Sequence, residues 1–279
     1  MSARHLLELE SAEGPQFARS GADGLSRRSF LGAMGAVAGA VALLATSGTA
    51  RALGELSRFR FLRLHLPDLP DPHPSALRRL AWELERRTSL ITLADPIELP
   101  PASPELFRYP LCLLSGDHAF AMPSAADITR LRRYLTFGGC LWIDSAEGRV
   151  GGDFDQSVRR MLALVLPGDL PKPVPDDHVL WRSFYILHDA PGRLLLPARL
   201  ECVERDRRLA VIYSQNDLCG AMARDGFGRW EHNVSPGGDE QRERCFRFAV
   251  NLVMYAMCLD YKTEQAHIDF IMRTRRSPP

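Results

Sequence analysis

Hydrophobic and polar positions follow two rhythms along this chain, and the change between them is sharpest from Tyr109 to Gly148. Leu111 to Ser115 is an apolar run that ends in Gly116-Asp117-His118. A stretch of helix period follows. Ile128, Leu131 and Leu135 mark one face, and Arg130, Arg132 and Arg133 mark the other. Gly138-Gly139 stops it, as glycine does just past a helix end. Cys140 to Asp144 is a second apolar run, ending in Asp144-Ser145. Apolar runs of this length around an amphipathic stretch predict a strand–helix–strand unit with parallel strands. The first run is apolar on both faces and should be a central strand.

The same rhythms extend to either side. Arg58 to Leu66 predicts a strand, Pro67 to Pro74 a bend, and Ser75 to Arg87 an amphipathic helix with Leu77, Leu80, Ala81 and Leu84 inward. Ser89 to Ala94 predicts a short second strand, and the prolines from Pro96 to Pro104 a surface loop. Asp153 to Leu166 predicts a helix. Leu200–Val203 and Leu209–Tyr213 predict a hairpin, with Ser214-Gln215-Asn216-Asp217 at its end. Gly220 to Pro236 reads as irregular, Asp239 to Leu259 as the longest helix, and Thr263 to Pro279 as a polar, basic tail with a weakly docked helix and a frayed end. Trp82 and Trp142 are expected in the core, Trp181 and Trp230 along a groove. The expected fold is an α/β domain over residues 53–262. It has a flavodoxin-like, open, mostly parallel sheet with helices on both faces, plus a β-hairpin in the C-terminal half.

The N-terminus changes the picture. Polar residues precede Ser26-Arg27-Arg28-Ser29-Phe30-Leu31, which carries the twin-arginine signal pair Arg27 and Arg28. A Gly/Ala-rich segment to Ala45 is too short for a comfortable membrane span, which needs about 20 apolar residues. Ala50-Arg51-Ala52 fits a small-x-small cleavage site, with Ala50 and Ala52 as the small residues. Residues 1–52 are therefore expected to be a signal peptide read by the twin-arginine translocase. The mature form is expected in the periplasm or beyond, without a stable transmembrane span. An uncleaved signal acting as an anchor is the alternative. The formal net charge of +1 supplies no bulk attraction to nucleic acid, which is not an expected partner. None of the six cysteines forms a Cys-x-x-Cys pair. Cys112–Cys140 is the disulfide to check across neighbouring strands.

The ordered series SGDHAF, RRYLTFGGCLWID, FDQSVRRML, DDHVLWRSFY, LAVIYSQNDLCGA and NLVMYAM resembles the bacterial domain-of-unknown-function family 4159. That family looks like a relative of the class I glutamine-amidotransferase-like, flavodoxin-type superfamily. The resemblance runs from about Phe59 to Leu259 and implies a cell-envelope context with envelope-protein partners. It also implies where a nucleophilic cysteine would stand, at the tight turn directly after a central strand. Here that turn reads Ser115-Gly116-Asp117-His118, and Cys112 lies inside the strand. Many relatives carry His-Gly where this chain has Asp117-His118. The resemblance therefore does not carry amidotransferase chemistry to this chain.

In an open parallel sheet, ligands sit beyond the carboxyl ends of the strands. Those ends offer Asp117 and His118, Asp144 and Ser145, and Ser214, Asn216 and Asp217, while Asp177 and His178 are expected to reach the same rim. Gly116, Ser145, Ser214 and Asn216 are the ligand-rim candidates. Asp117, His118, Asp144, His178 and Asp217 are the catalytic candidates. Asp117, His118, Asp144 and His178 are of the types that hold a divalent metal. The expected function is a non-catalytic binding or assembly module. The alternative is a hydrolase, metal-assisted or with Ser115 or Ser145 as nucleophile, His118 or His178 as base and Asp144 or Asp217 as orienting acid. An enzyme requires one of the histidines beside one of the aspartates in a concave pocket.

Overall fold

The computed structural model describes residues 58–275, with side chains described to Cys258. The expected signal segment lies outside them. Seven strands form one sheet in the order β2-β1-β3-β4-β7-β6-β5. The strands are β1 (Phe59–Leu64), β2 (Thr92–Leu99), β3 (Leu111–Gly116), β4 (Cys140–Ser145), β5 (Lys172–Pro173), β6 (Glu201–Arg205) and β7 (Arg208–Ser214). The first five in that order are parallel, and β6 and β5 join antiparallel. The helices are α1 (Ala76–Arg87), α2 (Ala125–Thr136), α3 (Asp153–Val165), α4 (Leu218–Met222) and α5 (Gly238–Arg275). This is the expected α/β architecture. Among the described residues, no helix is long and apolar enough to cross a membrane.

Period-two alternation divides the core. Leu111 and Leu113 of β3 and Trp142 of β4 point to the face covered by α1, α4 and α5. Cys112, Leu114, Leu141 and Ile143 point to the face covered by α2 and α3. Cys112 and Cys140 thus lie on opposite faces of the sheet, and all six cysteines are free. The chain turns one way after β1 and the other way after β3, so the order reverses between those strands. Such a reversal opens a crevice at the carboxyl ends.

Several boundaries differ from expectation. β2 begins later and runs through Pro96 to Leu99. Its place at the sheet edge tolerates a residue without an N–H, and the ladder to β1 slips between Arg60 and Leu62. The hairpin turn is Asp206-Arg207, both with positive φ (49° and 61°). That suits the two-residue turn whose twist matches the flanking strands. The stretch after Asp217 opens with the short helix α4, and α5 continues without a break to Arg275 because neither glycine nor proline interrupts it. Trp82 is 45% exposed rather than in the core. Trp181 is buried and stacks on Phe248, and Trp230 lies between Arg224 and Arg242.

Candidate functional site

The carboxyl ends of β4 and β7 meet in a buried polar cluster. Asp144 and Ser214 are cross-strand partners whose alternation aims them, with Trp142 and Ile212, toward the face of α1 and α5. Asp144 is fully buried. Its two oxygens accept the backbone N–H groups of Leu218 at 2.9 Å and Cys219 at 2.7 Å. Burial, reinforced by the neighbouring Asp217, pushes its carboxyl up to about 7, against the pull of those two donors.

Asp217 is also fully buried and caps α4 by accepting the Gly220 N–H at 2.9 Å. Its backbone is left-handed, with φ at 57°, a conformation aspartate tolerates better than most residues. Arg193 donates its Nε–H to the Asp217 carboxylate, and His73 Nε2 stands 2.9 Å from Oδ1. The histidine contact is an ion pair out of line for a hydrogen bond, and the buried Nδ1 of His73 has no protein partner. Burial opposes ionisation of both groups, but the pairing outweighs it. It holds the Asp217 carboxyl below the usual range and the His73 imidazole above it. The His232 ring lies edge-on to His73 at 4.9 Å and is pushed down by burial and by the charge of His73.

The other rim candidates are placed elsewhere. Asp117 and His118 project from the turn after β3, each about half exposed. Nδ1 of His118 lies 2.6 Å from Asp117 Oδ1 and Nε2 lies 3.1 Å from the carbonyl of Asp68. The hydrogen bond to Asp117, then that to Asp68, raises the imidazole. Gly116 marks the elbow itself. A Cβ there would overlap the ring of Phe154 and Cδ1 of Leu69. Ser145 accepts the Glu147 N–H at 3.4 Å, and Ser214 accepts the Asn216 N–H at 3.2 Å. Asn216 ties down the 188–196 loop, accepting from Leu196 at 2.9 Å and donating to the Ala190 carbonyl at 3.1 Å.

His178 and Asp177 do not reach the rim. Nδ1 of His178 accepts the Leu180 N–H at 3.1 Å, and its ring packs on Tyr255 at 5.3 Å. The Tyr255 hydroxyl in turn accepts the N–H of Leu209, at the amino end of β7. That contact places His178 at the opposite end of the strand, and burial lowers its imidazole. Asp117 and His118 on the surface, Asp144 inside and His178 at the far end therefore form no common ligand set. Among the described residues, no group of three or more His, Cys, Asp or Glu side chains is arranged to hold a metal ion. The pair that does meet Asp217, His73 and Arg193, gave no sequence signal. His73 sits in a proline bend and Arg193 in an irregular loop.

A mostly parallel open sheet whose order reverses between β1 and β3 defines a flavodoxin-like α/β domain. The model of the family described as a domain of unknown function (DUF4159) matches residues 58–257, and the chain belongs to that family. No curated protein matches the chain.

Proposed function

We propose that this protein is an exported cell-envelope component that works as a non-catalytic binding or assembly module on a degenerate amidotransferase-like fold. The observation that carries the reading is the turn after β3. An amidotransferase would hold its nucleophile at this turn, but Ser115-Gly116-Asp117-His118 contains no cysteine, and a Cβ at Gly116 would overlap Phe154 and Leu69. The polar groups at the ends of β4 and β7 are buried and committed to one another and to backbone N–H groups. Export rests on the Arg27-Arg28 pair, the short apolar segment and the Ala50-Arg51-Ala52 cleavage pattern.

The test is a turnover panel on the purified full chain with glutamine, nitrophenyl esters, a phosphate monoester and peptides, beside elemental analysis. No turnover above buffer is expected. One observation favours the hydrolase alternative: a buried histidine, with Nδ1 unpartnered, beside a carboxylate on a left-handed backbone. Turnover that is lost in both His73→Ala and Asp217→Asn, each shown to be folded, would establish that alternative and end the non-catalytic reading. For export, the Arg27→Lys/Arg28→Lys variant should stay in the cytoplasm. Unchanged export of that variant would remove the twin-arginine assignment.

A further inference from the structure

A groove of about 270 Å³ lies at the carboxyl ends of β1, β2 and β3, beside the reversal of strand order. Leu66, Phe120 and Met122 form its apolar surface, and its walls are set by Pro67, Pro100, Pro101 and Pro123. Proline fixes its own backbone angle, so these walls are rigid before anything binds, and binding there costs little ordering. The volume is below the range of about 300–1,000 Å³ typical of pockets that enclose a cofactor or drug-sized molecule. It suits two or three side chains of an extended segment lying across an open trough.

The carboxylates of the groove stand without a lysine or arginine beside them. Asp68 and Asp127 line it, with Ser124 and His65. Asp127 is held by the Ser124 hydroxyl at 2.7 Å, and the Asp68 carboxylate makes no ion pair among the described residues. No lysine or arginine lines the groove. The nearby basic side chains already have partners. Arg63 pairs with Asp71 at 3.1 Å and Glu98 at 2.9 Å, His65 lies 3.8 Å from Glu98, and His118 lies against Asp117. A phosphate or an acidic ligand would meet the two carboxylates there, which offset the positive end of α2 beside Ser124. A cation would meet a free carboxylate above an apolar floor, which selects its partner by charge.

Resting on the binding-module reading, we propose that this groove takes an extended apolar segment of a partner protein that carries a lysine or arginine. The full chain is immobilised and panned with a phage-displayed library of random peptides. An enriched peptide is then labelled with fluorescein and titrated by polarisation. Enriched peptides are expected to place a basic residue beside apolar or proline residues and to bind more weakly as salt is raised. Asp68→Asn should weaken binding about fivefold, as loss of an exposed charge pair does. Ala121→Arg, which fills the groove from an exposed wall position and reverses its charge, should weaken it by at least about tenfold. Circular dichroism of both variants checks the fold. Failure to enrich any peptide, or enrichment of peptides without a basic residue, would overturn the proposal. So would tight binding that ignores Ala121→Arg, which leaves the binding-module reading standing with its site elsewhere. A concentration-dependent dimer in sedimentation, abolished by Ala121→Arg, would assign the groove to a second copy of this chain instead. Failure of the broader reading shows separately, as turnover in the substrate panel.

Discussion

Replacing Asp217 by alanine should be among the most destabilising single changes in this domain. The substitution removes three things together: the acceptor for the Gly220 N–H, the counter-charge of His73 and the counter-charge of Arg193. Loss of an N-cap costs about 1 kcal/mol. Leaving one member of a buried pair costs about 3–5 kcal/mol, but both partners here have partial escape. The Arg193 side chain is 24% exposed and can regain water, and His73 can give up its proton. Alanine also tolerates the left-handed backbone less well than aspartate. The net expectation is about 3 kcal/mol, a large share of the ~5–15 kcal/mol that holds a domain together. With a urea dependence of about 2 kcal/mol per molar, the unfolding midpoint should fall by about 1.5 M. Asp217→Asn keeps an acceptor for the cap and tolerates the left-handed turn, so it should lose about half as much. The assay is urea unfolding followed by tryptophan fluorescence, run as a double-mutant cycle with His73→Ala. A coupling of about 1–3 kcal/mol between the two sites is expected. A loss under about 1 kcal/mol for Asp217→Ala, with no coupling to His73, would mean that the cluster is solvated and not paired, and the reasoning would fail.

The same cluster sets a pH dependence. Asp144 titrates near 7 in the folded chain against about 3.9 unfolded, so the folded state holds the extra proton and stability falls as pH rises from about 4 to about 7. His73, raised, adds stability that is complete below about 6.5 and is lost as pH climbs through its folded value. Asp217, depressed, adds stability above about 3.9 that is lost in stronger acid. Melting temperature should therefore peak between about pH 4 and 6, and Asp144→Asn should flatten the decline toward pH 7; a melting temperature that climbs steadily from pH 5 to 8 would contradict these signs. Gly116→Ala should cost about 1–3 kcal/mol by crowding Phe154 and Leu69, read as a lower urea midpoint, and a neutral result would mean that the elbow is open. Arg207→Gly should raise stability by about 1 kcal/mol, because glycine takes the left-handed hairpin position without the penalty that arginine bears. An unchanged or lower melting temperature for that variant would count against the turn geometry.

The central strands were readable because β3 and β4 are buried on both faces, and a short apolar run between turn residues has few other readings. β2 was harder. Its second half, Asp95-Pro96-Ile97-Glu98, carries the composition of a loop and is a strand only because β1 pairs with it at an edge. Local preference yields to tertiary pairing there. The helix α4 has no local signature for a similar reason. Five residues have no period of their own, and it is held by Asp144 and Asp217 accepting its first N–H groups.

The candidate site divides along the same line. Asp144 and Asp217 could be picked out because each ends a legible strand, and a position at a strand end is a local property. Their environment is not local. His73 reaches Asp217 from the proline bend after β1, and Arg193 from the irregular 188–196 loop, whose backbone N–H groups at Arg193 and Leu194 donate to the carbonyls of Asp217 and Asn216. The segment from His65 to Pro74 has three effects at once. It sends Leu69 over Gly116, which seals the elbow. It brings His73 to the buried carboxylate, and it supplies Leu66, Pro67 and Asp68 to the groove. A side chain at Gly116 would have to displace the Phe154 ring and the Cδ1 methyl of Leu69. One loop, His65 to Pro74, thus contributes to the crowded turn, the paired histidine and the trough, with Phe154, Arg193 and the segments 100–102 and 120–127 completing them. That is the physical ground for looking to the trough, and not to the elbow, for what the domain binds.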